Sequence, residues 1–166
     1  RDGVINKDLG YVHKWKDFEL INGSFEALQI LTKQNFNIII VTNQAGIAKG
    51  FYTENDFLLL TQQFESFCFN NNIKILRTFY CPHHKNAVVK KYAKDCKNRK
   101  PYPGMFFKAA QLYNIDLEKA IMVGDNYTDI KASSSAGVKT NYLIKSNPTK
   151  SYLNSQISYF VKENLL

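Results

Sequence analysis

No run in these 166 residues approaches the roughly 20 apolar residues that a membrane-spanning helix needs. Cysteine is scarce. There are three, an odd count at spacings unlike a disulfide framework, which excludes a small cross-linked secreted scaffold and makes the reducing cytoplasm the expected location. Four prolines and eight glycines are too few for a low-complexity or collagen-like chain, and no internal repeat is visible. Acidic residues are the minority, 14 against 22 Lys and Arg, giving a net charge of +8 and a pI near 9.3. Such an excess favours anionic partners. The lysines are scattered, however, among many Asn, Ile, Phe and Tyr, which reads as compositional bias. A nucleic-acid binder gathers its charge on one face or one helix. Neither a nucleic-acid nor a membrane partner is therefore expected, and no surplus apolar element demands a second copy, so a monomer is expected.

What is present is ordinary for one globular domain: 45% hydrophobic and 22% charged residues. Apolar β-branched runs alternate with helical patterns. Residues 36–44 (FNIIIVTNQ) read as a buried strand, with further strands at 73–80, 120–123 and 140–144. Between them, SFEALQILTKQ gathers Phe25, Leu28, Ile30 and Leu31 near one helical face. Thr53 is a natural N-cap for a helix whose stripe is Phe57, Leu60, Phe64 and Cys68. Pro103 starts another helix, and Gly137 ends a short one. The tail, residues 152–166, reads as one more. This alternation predicts an α/β, doubly wound parallel sheet covered on both faces. Such sheets bind ligands beyond the carboxyl ends of their strands.

The polar residues concentrate at those ends. TNQAGIAKG puts Thr42, Asn43 and Gln44 at a strand tip, followed by Gly46 and Gly50, where backbone N–H groups can cradle a phosphate. GDNYTD puts Asp125 and Asp129 after another strand, suited to a hard cation such as magnesium. NRKPYPG supplies Arg99 and Lys100, and RDG supplies Asp2. Singly, each has a plain alternative: a loop cap, a turn former, a solvated pair. Jointly they point to phosphate chemistry.

The stretches RDGVIN, DLGYVH, VTNQAGIAKG, FYTENDF, YCPHH, RKPYPGM and MVGDNYTDI together resemble the haloacid dehalogenase superfamily of phosphohydrolases. Within it they resemble the D-glycero-D-manno-heptose 1,7-bisphosphate phosphatases, with histidinol-phosphate phosphatases as close relatives. The resemblance runs from Arg1 to about Ile144 and implies a Rossmann-like haloacid dehalogenase fold without a large cap domain. It implies a single phosphatase domain over residues 1–166 that lacks its first strand at the N-terminus. The nucleophilic aspartate is then expected immediately before Arg1. Asp2 would be the general acid/base, with Thr42 and Lys100 holding the transferring oxygens. Magnesium would be held by the main-chain carbonyl of Asp2 and the carboxylate of Asp125. Asp8, Leu9, Gly10, Tyr11, Asn43, Gln44, Arg99 and Asn126 would face a small sugar phosphate. Asn126 departs from the family, which often has lysine there.

The same resemblance implies structural zinc at Cys81, His83 and Cys96, an incomplete set because Asn98 stands where a fourth ligand, cysteine, is expected. The expected activity is release of the C7 phosphate of the heptose bisphosphate in nucleotide-heptose (lipopolysaccharide or capsule) synthesis, through an aspartyl-phosphate. Two alternatives stand beside it: a histidinol-phosphate phosphatase, and a noncatalytic phosphate- or RNA-binding remnant.

Overall fold

A computed structural model describes residues 1–145, so the expected tail helix over 152–166 lies outside the described residues. Among the described residues, four strands and five α-helices follow in chain order: α1 (Ser24–Lys33), β1 (Ile38–Asn43), α2 (Ala45–Ala48), α3 (Glu54–Asn70), β2 (Ile75–Cys81), α4 (Gly104–Tyr113), β3 (Ile121–Gly124), α5 (Tyr127–Ala136) and β4 (Thr140–Leu143). The helices begin where the chemistry says they should. Thr53 accepts from the Asp56 N–H while Asp56 accepts from the Thr53 N–H, a complete capping box at the head of α3. Asn126 and Asp129 form a second one at the head of α5. That helix ends at Gly137 with φ 100°, a left-handed position that glycine takes without strain. Pro103 precedes α4 as its N-cap rather than forming its first turn.

All strand pairing between these elements is parallel. β1 pairs with β2 from Ile38↔Ile75 to Asn43↔Cys81, and β3 pairs with β4 from Ile121↔Thr140 to Gly124↔Leu143. Adjacent residues of β1 face opposite sides, and the core divides accordingly. Ile40 packs with Leu28, Leu60, Phe64 and Cys68 on one face. Val41 packs with Met105, Phe106, Met122 and Ala132 on the other. This is the two-faced α/β layering that the alternation predicted, and Cys68 is a core residue with no exposed surface.

The sheet differs from a continuous one. Among the described residues β1 and β3 do not pair, and between them lies a cavity of about 620 Å³ lined by Ile38, Ile40, Val41, Ile121 and Val123. Arg1, Lys100 and Asp129 line the same cavity. Only the short α2 and its flanking turns separate β1 from α3, so among the described residues nothing resembling a large cap covers the strand tips.

Candidate active site

Thr42 and Asn43 end β1, Cys81 ends β2, and Asp125 follows β3, so three parallel strands present their carboxyl ends to one edge. Lys100 comes to that edge from the loop before α4. Its Nζ lies 2.7 Å from Asp129 Oδ1 and donates to the Val41 carbonyl at 2.9 Å. Both side chains of the pair are buried, 7% and 8% exposed, so each charge relies on the other. The Asn43 amide fixes the Lys100 backbone from both directions: Nδ2 donates to the Lys100 carbonyl, and Oδ1 accepts from the Lys100 N–H, each at 3.0 Å. Gly124 is required for this close approach, because a Cβ there would sit 2.5 Å from Asp129 Cβ.

Asp2 lies on a tight turn in which the Arg1 carbonyl accepts from the N–H groups of Val4 and Ile5. The Arg1 guanidinium donates to Asp2 Oδ1 through Nη2 at 2.6 Å and through Nε at 3.1 Å. Asn6 Nδ2 adds a bond to the same oxygen at 3.0 Å. Burial works to raise the Asp2 carboxyl, but the Arg1 charge and the hydrogen bonds from Arg1 and Asn6 overcome it, so the group sits below its usual range. The other oxygen, Oδ2, accepts from Gln44 Nε2 at 3.1 Å, and Gln44 Nε2 also donates to Thr42 Oγ1 at 2.8 Å.

Asp2, Thr42 and Gln44 are thus linked by hydrogen bonds, and so are Asn43 and Lys100. Asn43 and Gln44 were expected to position substrate; their amides hold Lys100, Asp2, Thr42 and Tyr52. Asn126 likewise uses its Oδ1 to accept from the N–H and hydroxyl of Thr128, as the cap of α5. Residues 8–11 form an exposed loop in which Asp8 Oδ1 accepts from the Gly10 N–H. Leu9 is exposed, and the Tyr11 ring packs on Phe51 while its hydroxyl accepts from Lys49 Nζ at 2.7 Å. Arg99 Nη1 donates to the His83 carbonyl at 3.2 Å. Three participants were not assigned from sequence. Asp129 was seen as a strand-tip carboxylate but not given to the site; Arg1 and Tyr52 gave no signal in a single chain.

Cys81, His83 and Cys96 also assemble, with their candidate ligand atoms all within 4.8 Å of one another. Cys81 Sγ and His83 Nδ1 are 3.7 Å apart, close to the separation that bond lengths of about 2.3 and 2.0 Å give at a tetrahedral zinc. Burial pushes the Cys81 thiol up to about 11 and holds the His83 imidazole below its ordinary value. Asn98 lies against the start of α4, its Oδ1 2.6 Å from where a Cβ on Gly104 would be. These three residues are candidate ligands for one ion, and Asn98 stands in the sequence where the resemblance expects a fourth.

Fold and pocket together define an α/β hydrolase of the haloacid dehalogenase type, and a HAD-hydrolase-like family model matches residues 97–158. Among curated proteins, the D-glycero-beta-D-manno-heptose-1,7-bisphosphate 7-phosphatase of Vibrio cholerae is 43% identical over 145 residues, covering 87% of this chain and 78% of that one. A D-glycero-alpha-D-manno-heptose-1,7-bisphosphate 7-phosphatase of Photorhabdus laumondii is 42% identical over 150 residues, covering 90% and 82%. The crystal structure of the D,D-heptose 1,7-bisphosphate phosphatase of B. bronchiseptica, complexed with magnesium and phosphate, superposes with a TM-score of 0.79 at 27% identity over 93% of this chain and 83% of that one. The chain belongs to the heptose-1,7-bisphosphate 7-phosphatase family.

Proposed function

We propose that this protein removes the C7 phosphate of D-glycero-D-manno-heptose 1,7-bisphosphate, as a step in nucleotide-heptose synthesis. The observation that carries this reading is the meeting of Asp2, Thr42 and Lys100 in a chain of that family.

The cavity between β1 and β3 supports the reading of a strand before Arg1. It is lined mostly by apolar side chains, with Arg1, Lys100 and Asp129 also in its wall. A strand paired to β1 and β3 there would satisfy both open edges and deliver its last residue to the pocket. An aspartate at that position attacks phosphorus, forming an O–P bond as the bond to the sugar oxygen breaks. Asp2, ionised in the free pocket, takes up a proton as the substrate binds and gives it to that oxygen. Water then attacks the aspartyl-phosphate, Asp2 takes the water proton, and the aspartate leaves. Lys100 and the Thr42 hydroxyl stabilise the oxygens on which charge develops. Sequencing the codons before Arg1 tests the covalent step: aspartate is expected, and any other residue overturns it.

The donor set fits magnesium. Lys100 neutralises Asp129, whereas among the described residues no ion pair involves Asp125. The Asp125 carboxylate and the Asp2 main-chain carbonyl would hold the ion, which when bound would offset the repulsion between nucleophile and phosphate. Zinc at Cys81, His83 and Cys96 belongs to the same reading as a weak structural site. Arg99 and Lys49 near the open edge suit a substrate carrying a second phosphate. A substrate panel decides between relatives: the heptose bisphosphate is expected to turn over fastest. Faster turnover of histidinol phosphate would replace this assignment.

A further inference from the structure

Gln44 is 3% exposed, and its amide touches three side chains. Nε2 faces Asp2 Oδ2 and Thr42 Oγ1, while Oε1 lies 2.5 Å from the Tyr52 hydroxyl. The direction of every proton in this group follows from chemistry. An ionised carboxylate only accepts, so the atom facing Asp2 must be the NH2. That leaves Oε1 toward Tyr52, whose hydroxyl must then donate. Burial, reinforced by the nearby Asp2 charge, raises the Tyr52 phenol and keeps its proton in place. The two N–H bonds of Gln44 are both used, one on Asp2 and one on Thr42. Thr42 is therefore an acceptor from Gln44 and keeps its own proton for another acceptor.

We propose that Tyr52 and Gln44 are positioning residues: Tyr52 fixes the Gln44 amide in one orientation, and Gln44 aligns the Asp2 carboxylate and turns the Thr42 O–H toward the incoming phosphate. The roles of Asp2 and Thr42 here rest on the phosphatase reading above; the hydrogen-bond relay does not. The loop is built around it. Tyr52 is 6% exposed and stacks on His13 at 5.0 Å with the rings 7° from parallel. Gly46 lies directly beneath the ring, where a Cβ would fall 2.1 Å from Tyr52 Cε1. Gly46 has no left-handed φ, so it is the Tyr52 ring and not the backbone that excludes a side chain there.

The test is a double-mutant cycle on the encoded protein with magnesium and the heptose bisphosphate. Tyr52→Phe keeps the ring and removes the donor. It is expected to lower kcat about 10-fold with KM changed less than about 3-fold, and Gln44→Leu to lower kcat about 100-fold. If Tyr52 acts through Gln44, the double variant equals Gln44→Leu alone. Multiplying losses would mean that the Tyr52 hydroxyl acts independently of Gln44, and would overturn the proposal. Gly46→Ala, which displaces the ring, should reproduce the Tyr52→Phe kinetics; wild-type kinetics there would count against it. A second readout needs no substrate: the Gln44 side-chain amide protons should exchange slowly in the wild type and lose that protection in Tyr52→Phe. Equal exchange in both overturns the relay even in an active enzyme. Loss of protection in a protein that does not hydrolyse the bisphosphate keeps the relay and rejects the phosphatase reading.

Discussion

Two polar clusters stand at the strand tips, and they are built to different standards. Around Asp2, Thr42, Gln44, Lys100 and Asp129, partners arrive from residues 1–6, β1, Tyr52, the loop before α4 and the start of α5. Around Cys81, His83 and Cys96 the partners run out at three, and Asn98 does not supply the fourth. The first cluster is tied by hydrogen bonds and a buried ion pair, whereas the second offers three candidate ligand atoms. Pre-organisation has been concentrated where charge would develop during reaction, which is where fixed dipoles have most effect.

The largest expected effect falls in the first cluster. Asp2→Asn keeps the shape but not the proton, and should lower turnover about 10²–10⁴-fold while substrate still binds. Unchanged turnover in steady-state assays would remove Asp2 from the acid/base role. Next comes the buried ion pair. Lys100→Met strands the Asp129 carboxylate and should cost about 3–5 kcal/mol in urea unfolding, whereas Lys100→Met with Asp129→Leu should recover much of that. Equal losses would show that the pair is not coupled.

The second cluster should respond to the opposite kind of change, an addition. Asn98→Cys supplies a fourth thiolate and should tighten zinc by at least about tenfold in chelator competition, or about 1.4 kcal/mol. Less than about a tenth of an equivalent in the wild type and in the variant would end the zinc assignment.

The smallest effect lies between the clusters. Glu54 accepts from Tyr92 at 2.7 Å and Tyr80 at 2.8 Å, linking α3 to the cysteine loop. The Tyr92 hydrogen bond, opposed by partial burial and helped by Tyr80, holds its carboxyl below the usual range. Its contribution to stability is present above the ordinary glutamate value near 4.3 and fades as pH falls through the lowered one. Glu54→Gln should therefore flatten the acid side of the stability curve slightly, by less than about 1 kcal/mol, since the group is partly exposed.

Much of this was readable in the chain because it depends on local chemistry. The β-branched run at 38–41, the Thr53 cap and the Gly137 stop depend on neighbours in sequence, and the structure has all three. The approach of Lys100 to the end of β1 is of the kind expected from the rule that parallel strands share one functional edge. What was not readable depends on contacts between distant segments. Gln44 reads as a loop amide until Asp2, 42 residues away, is seen on its nitrogen. Asn43 reads as a strand-tip amide, and only the structure shows Lys100, 57 residues away, on both ends of it. Gly46 reads as a turn glycine, but its reason is the ring of Tyr52. The cavity between β1 and β3 had no counterpart in the periodicity of either strand.

The central claim is that the strand-tip cluster grips a phosphoryl group. A crystal structure of the encoded protein with magnesium and phosphate tests it most directly. The account predicts phosphate oxygens within hydrogen-bonding distance, about 3 Å, of Thr42 Oγ1 and Lys100 Nζ, with the metal on Asp125. Phosphate bound elsewhere, with Thr42 and Lys100 untouched, would contradict it.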